Sequence, residues 1–369
     1  MQSPSVLDDF EEIRKIDKSD MLSFCVNASE HYAEALRMAK KISVNYASPK
    51  NIIVAGMGGS AICGELLKDY ARETVPIPID VNKEYLLPAY ADKNSLVFIV
   101  SYSGETEESL SVLLEAVKRR CVIFCVSSGG KLLDFARKLS ISHLQVPSGM
   151  PPRAALPYLF SPLIVTLEKM RLLTNTHREF SETVKILEKV SIENSLKKPL
   201  EDNFSKKLAS NVGDTIPVIY GFGIYRSVAQ RLKQQFNENS KVPAKWEFFP
   251  ELNHNEIVGW EKAEKLGKHF SLIFVRDKNE SEEINYRIEA TNKILTRQPL
   301  KVFEVWSEGN GKLAKMFSTI CIGDFASVYL ALLRGVDPTP VKTITMLKER
   351  MQKSGIKEKI LRELRKIAK

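Results

Sequence analysis

Cysteine is scarce in this sequence, and the few cysteines are not paired. The 369 residues include five of them, an odd number, and none stands in a Cys-x-x-Cys spacing. A secreted disulfide framework uses an even number of cysteines, and a Cys/His zinc site needs ligands at short spacings, so the pattern indicates neither. We therefore expect reduced thiols packed inside a cytoplasmic protein that holds no metal ion.

Long apolar segments are also missing. No stretch reaches the roughly 20 consecutive apolar residues of a membrane-spanning helix. Residues 1–20 lack the apolar core of a secretory signal. With 44% hydrophobic and 27% charged residues, the composition is typical of a globular protein, and the length is sufficient for two cores. We expect two domains and no membrane partner.

The net charge of +9 raises the alternative of a nucleic-acid-binding protein. Residues 348–369 alone contribute +6, so the excess is concentrated in one segment. Apolar residues recur at helical spacing within it, namely Ile356, Ile360, Leu361, Leu364 and Ile367. An amphipathic helix that docks on the protein and keeps its basic face in solvent explains this pattern. We therefore expect no nucleic acid partner.

Short apolar runs alternate with helical segments along the first half of the chain. These runs are residues 51–56, 76–81, 95–100 and 121–126. Nearly continuous apolar strands that alternate with helices are typical of a parallel sheet covered on both faces. Helices without strands are predicted before this region, at residues 8–46, and after it, at 151–196.

The chain contains an internal repeat. Residues 51–70 resemble residues 216–236, and both read as a strand, Gly-x-Gly and a helix. Residues 95–120 resemble residues 271–297 in the same way. The separations of 165 residues, between Gly56 and Gly221, and 175, between Val100 and Val275, are too long for a solenoid. The sequence therefore predicts two copies of one α/β unit.

Hydroxyl side chains gather where the strand at 95–100 ends. The sequence SYSGET provides Ser101, Ser103 and Thr106 at the start of a predicted helix. A helix N-terminus exposes unpaired N–H groups and partial positive charge, which favour a phosphate. A helix cap alone needs only one hydroxyl, so three favour a phosphate monoester site. Arg276 and Asp277 replace Ser101 and Tyr102 in the second copy, which we expect to lack this site.

A second glycine-rich loop offers an alternative interpretation. GMGGSA, residues 56–61, matches the dinucleotide fingerprint, and Asp80 ends the next predicted strand. This combination predicts a nicotinamide- or flavin-dependent oxidoreductase. The hydroxyl-rich loop at Ser101 and the repeat at Gly221 are not explained by a dinucleotide site.

Two further residues are candidates for acid–base chemistry. Glu238 lies near a predicted helix end in FNENSK, and His254 follows an aromatic strand in ELNHNEI. Taken alone, however, Glu238 is better explained as a surface carboxylate and His254 as a hydrogen-bonded loop histidine.

The motifs GMGGS, SYSGET, PPRAALP, FNENSK and ELNHNEI occur in this order across two tandem halves. Together they resemble the sugar-isomerase (SIS) domain proteins, in particular the archaeal-type family of bifunctional phosphoglucose/phosphomannose isomerases. The resemblance extends from about residue 45 to Met351. It implies an α/β fold of two tandem SIS domains, each a mostly parallel sheet flanked by helices. We assign the N-terminal helices and the first SIS domain to 1–195, the second to 196–335 and a helical tail to 336–369.

The resemblance also implies the site residues. The sugar phosphate would be held by Ser101, Ser103 and Thr106, and the same pocket would be lined by Gly58, Gly59 and Ser60. The catalytic residues would be Glu238 as the base, His254 in ring opening, Arg153 near the enediolate and Lys348 on the last helix. The family pattern further implies a homodimer in which His254 comes from the other subunit.

The reaction implied by the resemblance interconverts glucose 6-phosphate with fructose 6-phosphate through a cis-enediol, and it requires no metal and no cofactor. Activity with mannose 6-phosphate is the weaker expectation. The family has a hydroxyl residue shortly before the lysine that corresponds to Lys348, and Val341 stands at that position here. A non-catalytic SIS protein that binds a sugar phosphate and regulates a partner is an alternative. Such a regulator would not need Glu238, His254 and Lys348.

Overall fold

The structure is a computed structural model that describes residues 6–369. The helices are α1 (Phe10–Ile16), α2 (Met21–Val26), α3 (Ala28–Ala39), α4 (Ile62–Ala71), α5 (Glu107–Lys118), α6 (Gly130–Lys138), α7 (Leu156–Lys169), α8 (Thr176–Asn194), α9 (Phe204–Val212), α10 (Tyr225–Gln235), α11 (Glu282–Leu295), α12 (Lys312–Leu333), α13 (Lys342–Gln352) and α14 (Ile356–Ile367). The strands are β1 (Asn51–Ala55), β2 (Ile79–Asn82), β3 (Ser95–Val100), β4 (Val122–Ser127), β5 (Ser142–Gln145), β6 (Ile216–Phe222), β7 (Lys245–Phe249), β8 (Phe270–Arg276) and β9 (Lys301–Trp306).

Two compact units divide the chain, and neither is continuous in sequence. The first-sheet unit consists of His31–Thr176 and Val341–Lys369. The second-sheet unit consists of His177–Pro340 together with the chain up to Glu30. The boundaries proposed from the sequence, at 195 and 335, follow the order of the motifs. The compact units are defined by contacts between residues instead, and these contacts group α13 and α14 with the first sheet.

The first sheet has the strand order β2-β1-β3-β4-β5, and all neighbouring strands are parallel. All six residues of β3 are buried, because helices cover both faces of a central strand in such a sheet. The chain reverses its direction of strand addition between β1 and β3. Ligands bind outside the carboxyl ends of the strands at such a switch point.

The basic tail helix α14 packs on α5 in the first-sheet unit. Leu361 and Leu364 are 2% and 0% exposed, and they join the same apolar core as Leu110 and Leu113. The remaining face of α14 carries the basic residues. The prediction of a docked amphipathic helix is therefore confirmed.

The second sheet has the order β7-β6-β8-β9, again with parallel neighbours throughout. The strands β6 and β8 occupy the places that β1 and β3 occupy in the first sheet, which confirms the predicted repeat. The core helix of this unit is α12, which is long and apolar enough to cross a membrane by length and composition alone. However, 89% of its apolar stretch is buried inside the protein, as is usual for a central helix.

Candidate active site

The hydroxyl-rich loop lies at the carboxyl end of β3, beside the switch point. The Oγ atom of Ser101 and the Oγ1 atom of Thr106 are 2.9 Å apart, within hydrogen-bonding distance. Thr106 is the N-cap residue of α5, but its hydroxyl does not cap the helix. The first N–H groups of α5 therefore remain available to another acceptor, as a phosphate site requires. Ser103 is exposed, whereas Ser101 is buried.

A loop that follows β4 supports the hydroxyl-rich loop, and sequence reasoning missed it. Ser127 donates a hydrogen bond through Oγ to the carbonyl oxygen of Gly129, at 2.9 Å. Ser128 donates through Oγ to the carbonyl oxygen of Tyr102, at 2.7 Å. The sequence SSGG after an apolar run could have revealed this loop. The carboxyl ends of neighbouring parallel strands lie at the same edge of a sheet, so the loops that follow them meet there.

The GMGGS loop reaches the same edge of the sheet. Ser60, which is 6% exposed, accepts a hydrogen bond from the backbone N–H of Tyr102 at 3.3 Å. A Cβ atom on Gly59 would lie 3.3 Å from the Cα atom of Arg153. Gly58 has a φ of +50°, which glycine adopts without strain. The structure therefore brings three predicted motifs, GMGGS, SYSGET and PPRAALP, into contact.

Tyr102 links the hydroxyl-rich loop to the segment that precedes Arg153. Its hydroxyl donates to the carbonyl oxygen of Pro147 at 3.0 Å and accepts the N–H of Met150 at 2.9 Å. Burial raises the pKa of Tyr102, so the phenol stays protonated as a donor. Arg153 itself is only 2% exposed. A buried guanidinium needs acceptors around it, and Arg153 takes part in interactions within the protein.

A cavity of about 310 Å³ opens in front of the hydroxyl-rich loop. Ser103 and Thr106 line one wall, and Lys348 of α13 lines another. Lys348 is exposed, and α13 has no buried residue. The structure thus brings the predicted lysine to the predicted phosphate loop within one compact unit.

Glu238 lies in the second-sheet unit, within a π-helical turn at Phe236–Ser240 that extends α10. The side-chain nitrogen of Asn239 donates to the hydroxyl of Ser327 at 2.9 Å. The Nζ atom of Lys241 donates to the carbonyl oxygens of Glu238 and Pro338 at 2.7 and 2.6 Å. The FNENSK motif therefore anchors the backbone around a half-buried carboxylate. Such π-helical turns are frequent at functional sites.

His254 also lies in the second-sheet unit, at the end of a short 3₁₀-helix, Glu251–His254. Asn253 donates through Nδ2 to the hydroxyl of Thr291 on α11 at 2.8 Å. Asn255 donates through Nδ2 to Glu251 at 2.8 Å. The two asparagines are thus held by the protein, while the histidine between them is exposed. Glu238 and His254 share one unit, and the other predicted site residues belong to the first-sheet unit.

The second sheet carries an ion pair where the first carries its hydroxyls. Asp277 follows β8, and its carboxylate accepts hydrogen bonds from Lys315 at 2.9 Å and from the Tyr225 hydroxyl at 2.7 Å. Burial alone would raise the pKa of Asp277. The backbone N–H of Asn279, Tyr225 and Lys315 together outweigh this effect and lower the pKa. A protein carboxylate therefore occupies this strand end.

The acidic residue of the dinucleotide fingerprint is engaged within the protein. Asp80 accepts a hydrogen bond from the Tyr90 hydroxyl at 2.9 Å and from the N–H of Val81 at 2.9 Å.

Within residues 6–369, no group of three or more His, Cys, Asp or Glu side chains is arranged to hold a metal ion.

Known protein families match a region of the chain in each of the two sheets. The SIS domain family matches residues 45–141, and the family of the bacterial phospho-glucose isomerase C-terminal SIS domain matches residues 201–351. A bifunctional phosphoglucose/phosphomannose isomerase of Caldicellulosiruptor bescii is 38% identical over 90% of this chain and 98% of that protein. A protein of the same description from Aquifex aeolicus is 35% identical over 82% of this chain and 91% of its own length.

Among solved structures, the fold is similar to that of the C-terminal domain of glucosamine-fructose-6-phosphate aminotransferase from Francisella tularensis. The TM-score is 0.67 at 16% sequence identity, over 87% of this chain and 98% of that one. At this identity the likeness concerns the fold alone.

Proposed function

The chain belongs to the bifunctional phosphoglucose/phosphomannose isomerase family of SIS domain proteins, and we propose that it interconverts glucose 6-phosphate, and also mannose 6-phosphate, with fructose 6-phosphate. Membership confirms two predictions from the sequence, the tandem SIS domains and the aldose–ketose isomerase class. The cavity lined by Ser103, Thr106 and Lys348 carries the proposal, because it brings together the loop proposed to bind the phosphate and the lysine proposed for catalysis. Neither a non-catalytic regulator nor a dinucleotide-dependent oxidoreductase gains support from the comparisons.

The phosphate group serves as the handle of the substrate. It would lie against Ser101, Ser103 and Thr106 and accept hydrogen bonds from the backbone N–H groups at the start of α5. Gly58, Gly59 and Ser60 would line the same pocket. Because the phosphate does not react, its binding energy orients the other end of the sugar for proton transfer.

The chemical steps move one proton between C1 and C2. His254, assisted by Lys348, would open the sugar ring by transferring protons between the ring oxygen and the hydroxyl at C1. Glu238 would then remove the carbon-bound proton and return it to the neighbouring carbon. The guanidinium of Arg153 would stabilise the negative oxygens of the cis-enediolate. None of these steps uses a metal ion or a cofactor.

We further propose a homodimer in which His254 completes the site of the other subunit. The exposed position of His254, on a short helix that Asn253 and Asn255 anchor, supports this arrangement. The cytoplasm is the proposed compartment, since none of the five cysteines, which all lie within residues 6–369, forms a disulfide and four of them are buried.

An assay with three substrates tests the function. Purified protein is supplied with glucose 6-phosphate, mannose 6-phosphate or fructose 6-phosphate, with and without a chelator, and the products are followed by coupled enzymes. We expect isomerisation of the glucose and fructose compounds, slower turnover of the mannose compound, and no effect of the chelator. Absence of turnover with all three substrates would exclude the proposed function.

A further inference from the structure

An ion pair ties the last helix of the chain to the hydroxyl-rich loop. The Nζ atom of Lys357 lies 2.5 Å from Oε2 of Glu105. The other oxygen of Glu105, Oε1, accepts the backbone N–H of Lys131 at 2.9 Å, in the first turn of α6. Glu105 stands between Ser103 and Thr106 in the sequence. One carboxylate therefore joins α6 and α14 at the edge of the candidate phosphate site.

The position of Lys357 relative to the loop is fixed by packing. Lys357 is the second residue of α14, and Leu361 and Leu364 anchor this helix in the apolar core against α5. The helix α5 begins directly after Thr106. The ammonium group and the hydroxyl-rich loop are thus carried by two helices that are packed against each other.

The wall of the cavity carries both acidic and basic side chains. Glu105, Glu107 and Glu108 line its wall together with Lys348 and Lys357. A phosphate dianion that approaches Ser103 and Thr106 would be repelled by these carboxylates, and the repulsion between charges a few ångströms apart is substantial where water is partly excluded. A cation paired with Glu105 removes one source of that repulsion.

The ion pair itself contributes little to folding stability. The side chains of Lys357 and Glu105 are 25% and 42% exposed, and partly exposed ion pairs of this kind stabilise a folded protein only slightly. Its value therefore lies in the electrostatic field at the cavity. Lys357 also lies beyond residues 201–351, the range that the family of the second SIS domain matches.

We propose that Lys357 is a positioning residue for the phosphate of the substrate: it neutralises Glu105 and directs that carboxylate towards α6, away from the incoming phosphate monoester. This inference rests on the proposed function, because it concerns the same phosphate site.

Direct binding of glucitol 6-phosphate, a sugar alcohol that cannot isomerise, tests the proposal by calorimetry. We expect Lys357→Gln to weaken binding about tenfold, because the carboxylate of Glu105 would then be unpaired and would repel the phosphate. The KM for fructose 6-phosphate should rise to the same extent, while kcat stays within about twofold. Lys357→Arg should retain wild-type affinity, because it restores the charge.

The direction in which a substitution of Glu105 changes the affinity separates neutralisation from a purely structural role. Glu105→Gln alone should bind glucitol 6-phosphate at least as tightly as the wild type, and the double variant Glu105→Gln/Lys357→Gln should recover most of the affinity. A purely structural ion pair would instead weaken binding in both single variants. Weak binding by the double variant would also contradict neutralisation and indicate a direct contact between Lys357 and the phosphate.

Lys366→Gln is the matched control, because it removes one positive charge from the same helix. Lys366 pairs with Glu363 on α14 at 2.6 Å, and both side chains are largely exposed. Its affinity should be unchanged. If the wild type binds glucitol 6-phosphate and Lys357→Gln binds it equally well, the role of Lys357 is refuted. If the wild type itself does not bind, the phosphate site and the proposed function are wrong.

Discussion

A Cβ atom on Gly104 would lie 1.9 Å from the carbonyl oxygen of Gly129. Gly104 also has a φ of +66°, which side chains other than glycine's rarely tolerate. The loops that follow β3 and β4 therefore touch each other backbone to backbone. The hydroxyl groups of the first loop are held in place by this contact.

We expect Gly104→Ala to separate the two loops and to weaken both stability and phosphate binding. The positive φ costs about 1 kcal/mol, and the steric clash adds to this cost. Gly335→Ala is the matched control, since Gly335 has a φ of +62° and open space around its Cα atom. Urea unfolding and calorimetry with glucitol 6-phosphate measure the two effects. Equal losses of stability in the two variants would mean that the loop contact is unimportant.

Replacing Ser103 and Thr106 by Ala should raise KM strongly and also lower kcat, because the phosphate anchor positions the reacting end of the sugar. Steady-state kinetics with fructose 6-phosphate provide the measurement. Ser111→Ala, further along α5, serves as the control and should behave like the wild type. Unchanged binding of glucitol 6-phosphate in the double variant would show that the phosphate lies elsewhere.

Glu238→Gln keeps the shape of the side chain and removes its basicity. We expect kcat to fall at least about 10²-fold, which is within the usual contribution of a general base. In the wild type, deuterium from the solvent should enter C1 or C2 of the product, as nuclear magnetic resonance can detect. Wild-type turnover in Glu238→Gln would eliminate this residue as the base.

A mixed dimer tests whether Glu238 and His254 of one site come from different chains. Glu238→Gln and His254→Ala are each expected to be inactive, but a mixed dimer would contain one intact site. With random exchange about half of the dimers are mixed, so about a quarter of the wild-type activity should return by symmetry. If mass spectrometry confirms exchange and no activity returns, both residues of a site belong to the same chain.

The Asp277–Lys315 pair should make stability depend on acidity. Because the pKa of Asp277 is lowered in the folded protein, its contribution is complete above the unfolded pKa of about 3.9 and is lost as the pH falls through the lower folded value. Asp277→Asn should therefore be less stable than the wild type at pH 7. This difference should shrink below about pH 4 in urea unfolding experiments. A difference that is independent of pH would exclude ionisation of Asp277 as the cause.

Local patterns predicted the first sheet well. The apolar run at 95–100 coincides with β3, because a central strand is buried on both faces and reads as a continuous apolar segment. The edge strand β5 was missed, since its sequence, SHLQ, carries no apolar run and no residue of it is fully buried. Edge strands have few neighbours and leave a weak signal.

The candidate site was predictable only in part. The hydroxyl-rich loop was visible from the residues, because three hydroxyls after a strand exceed what a helix cap needs. Glu238 and His254 emerged from the resemblance, since neither has a distinctive local pattern. Lys357 was not predicted, because its partner Glu105 is 252 positions away in the chain. Periodicity indicates which face of α14 is buried, but it does not indicate which loop the helix reaches.

The discontinuous first-sheet unit has a consequence for biosynthesis. Residues 341–369 follow every other segment of both units along the chain, yet they supply Lys348, Lys357 and the apolar side chains that cover α5. A nascent chain can therefore assemble β1–β5 on the ribosome long before the cavity lined by Lys348 and Lys357 is complete. During that interval the surface of α5 stays uncovered and accessible to chaperones and proteases. The proposed phosphate site is therefore complete only when α13 and α14 have emerged from the exit tunnel.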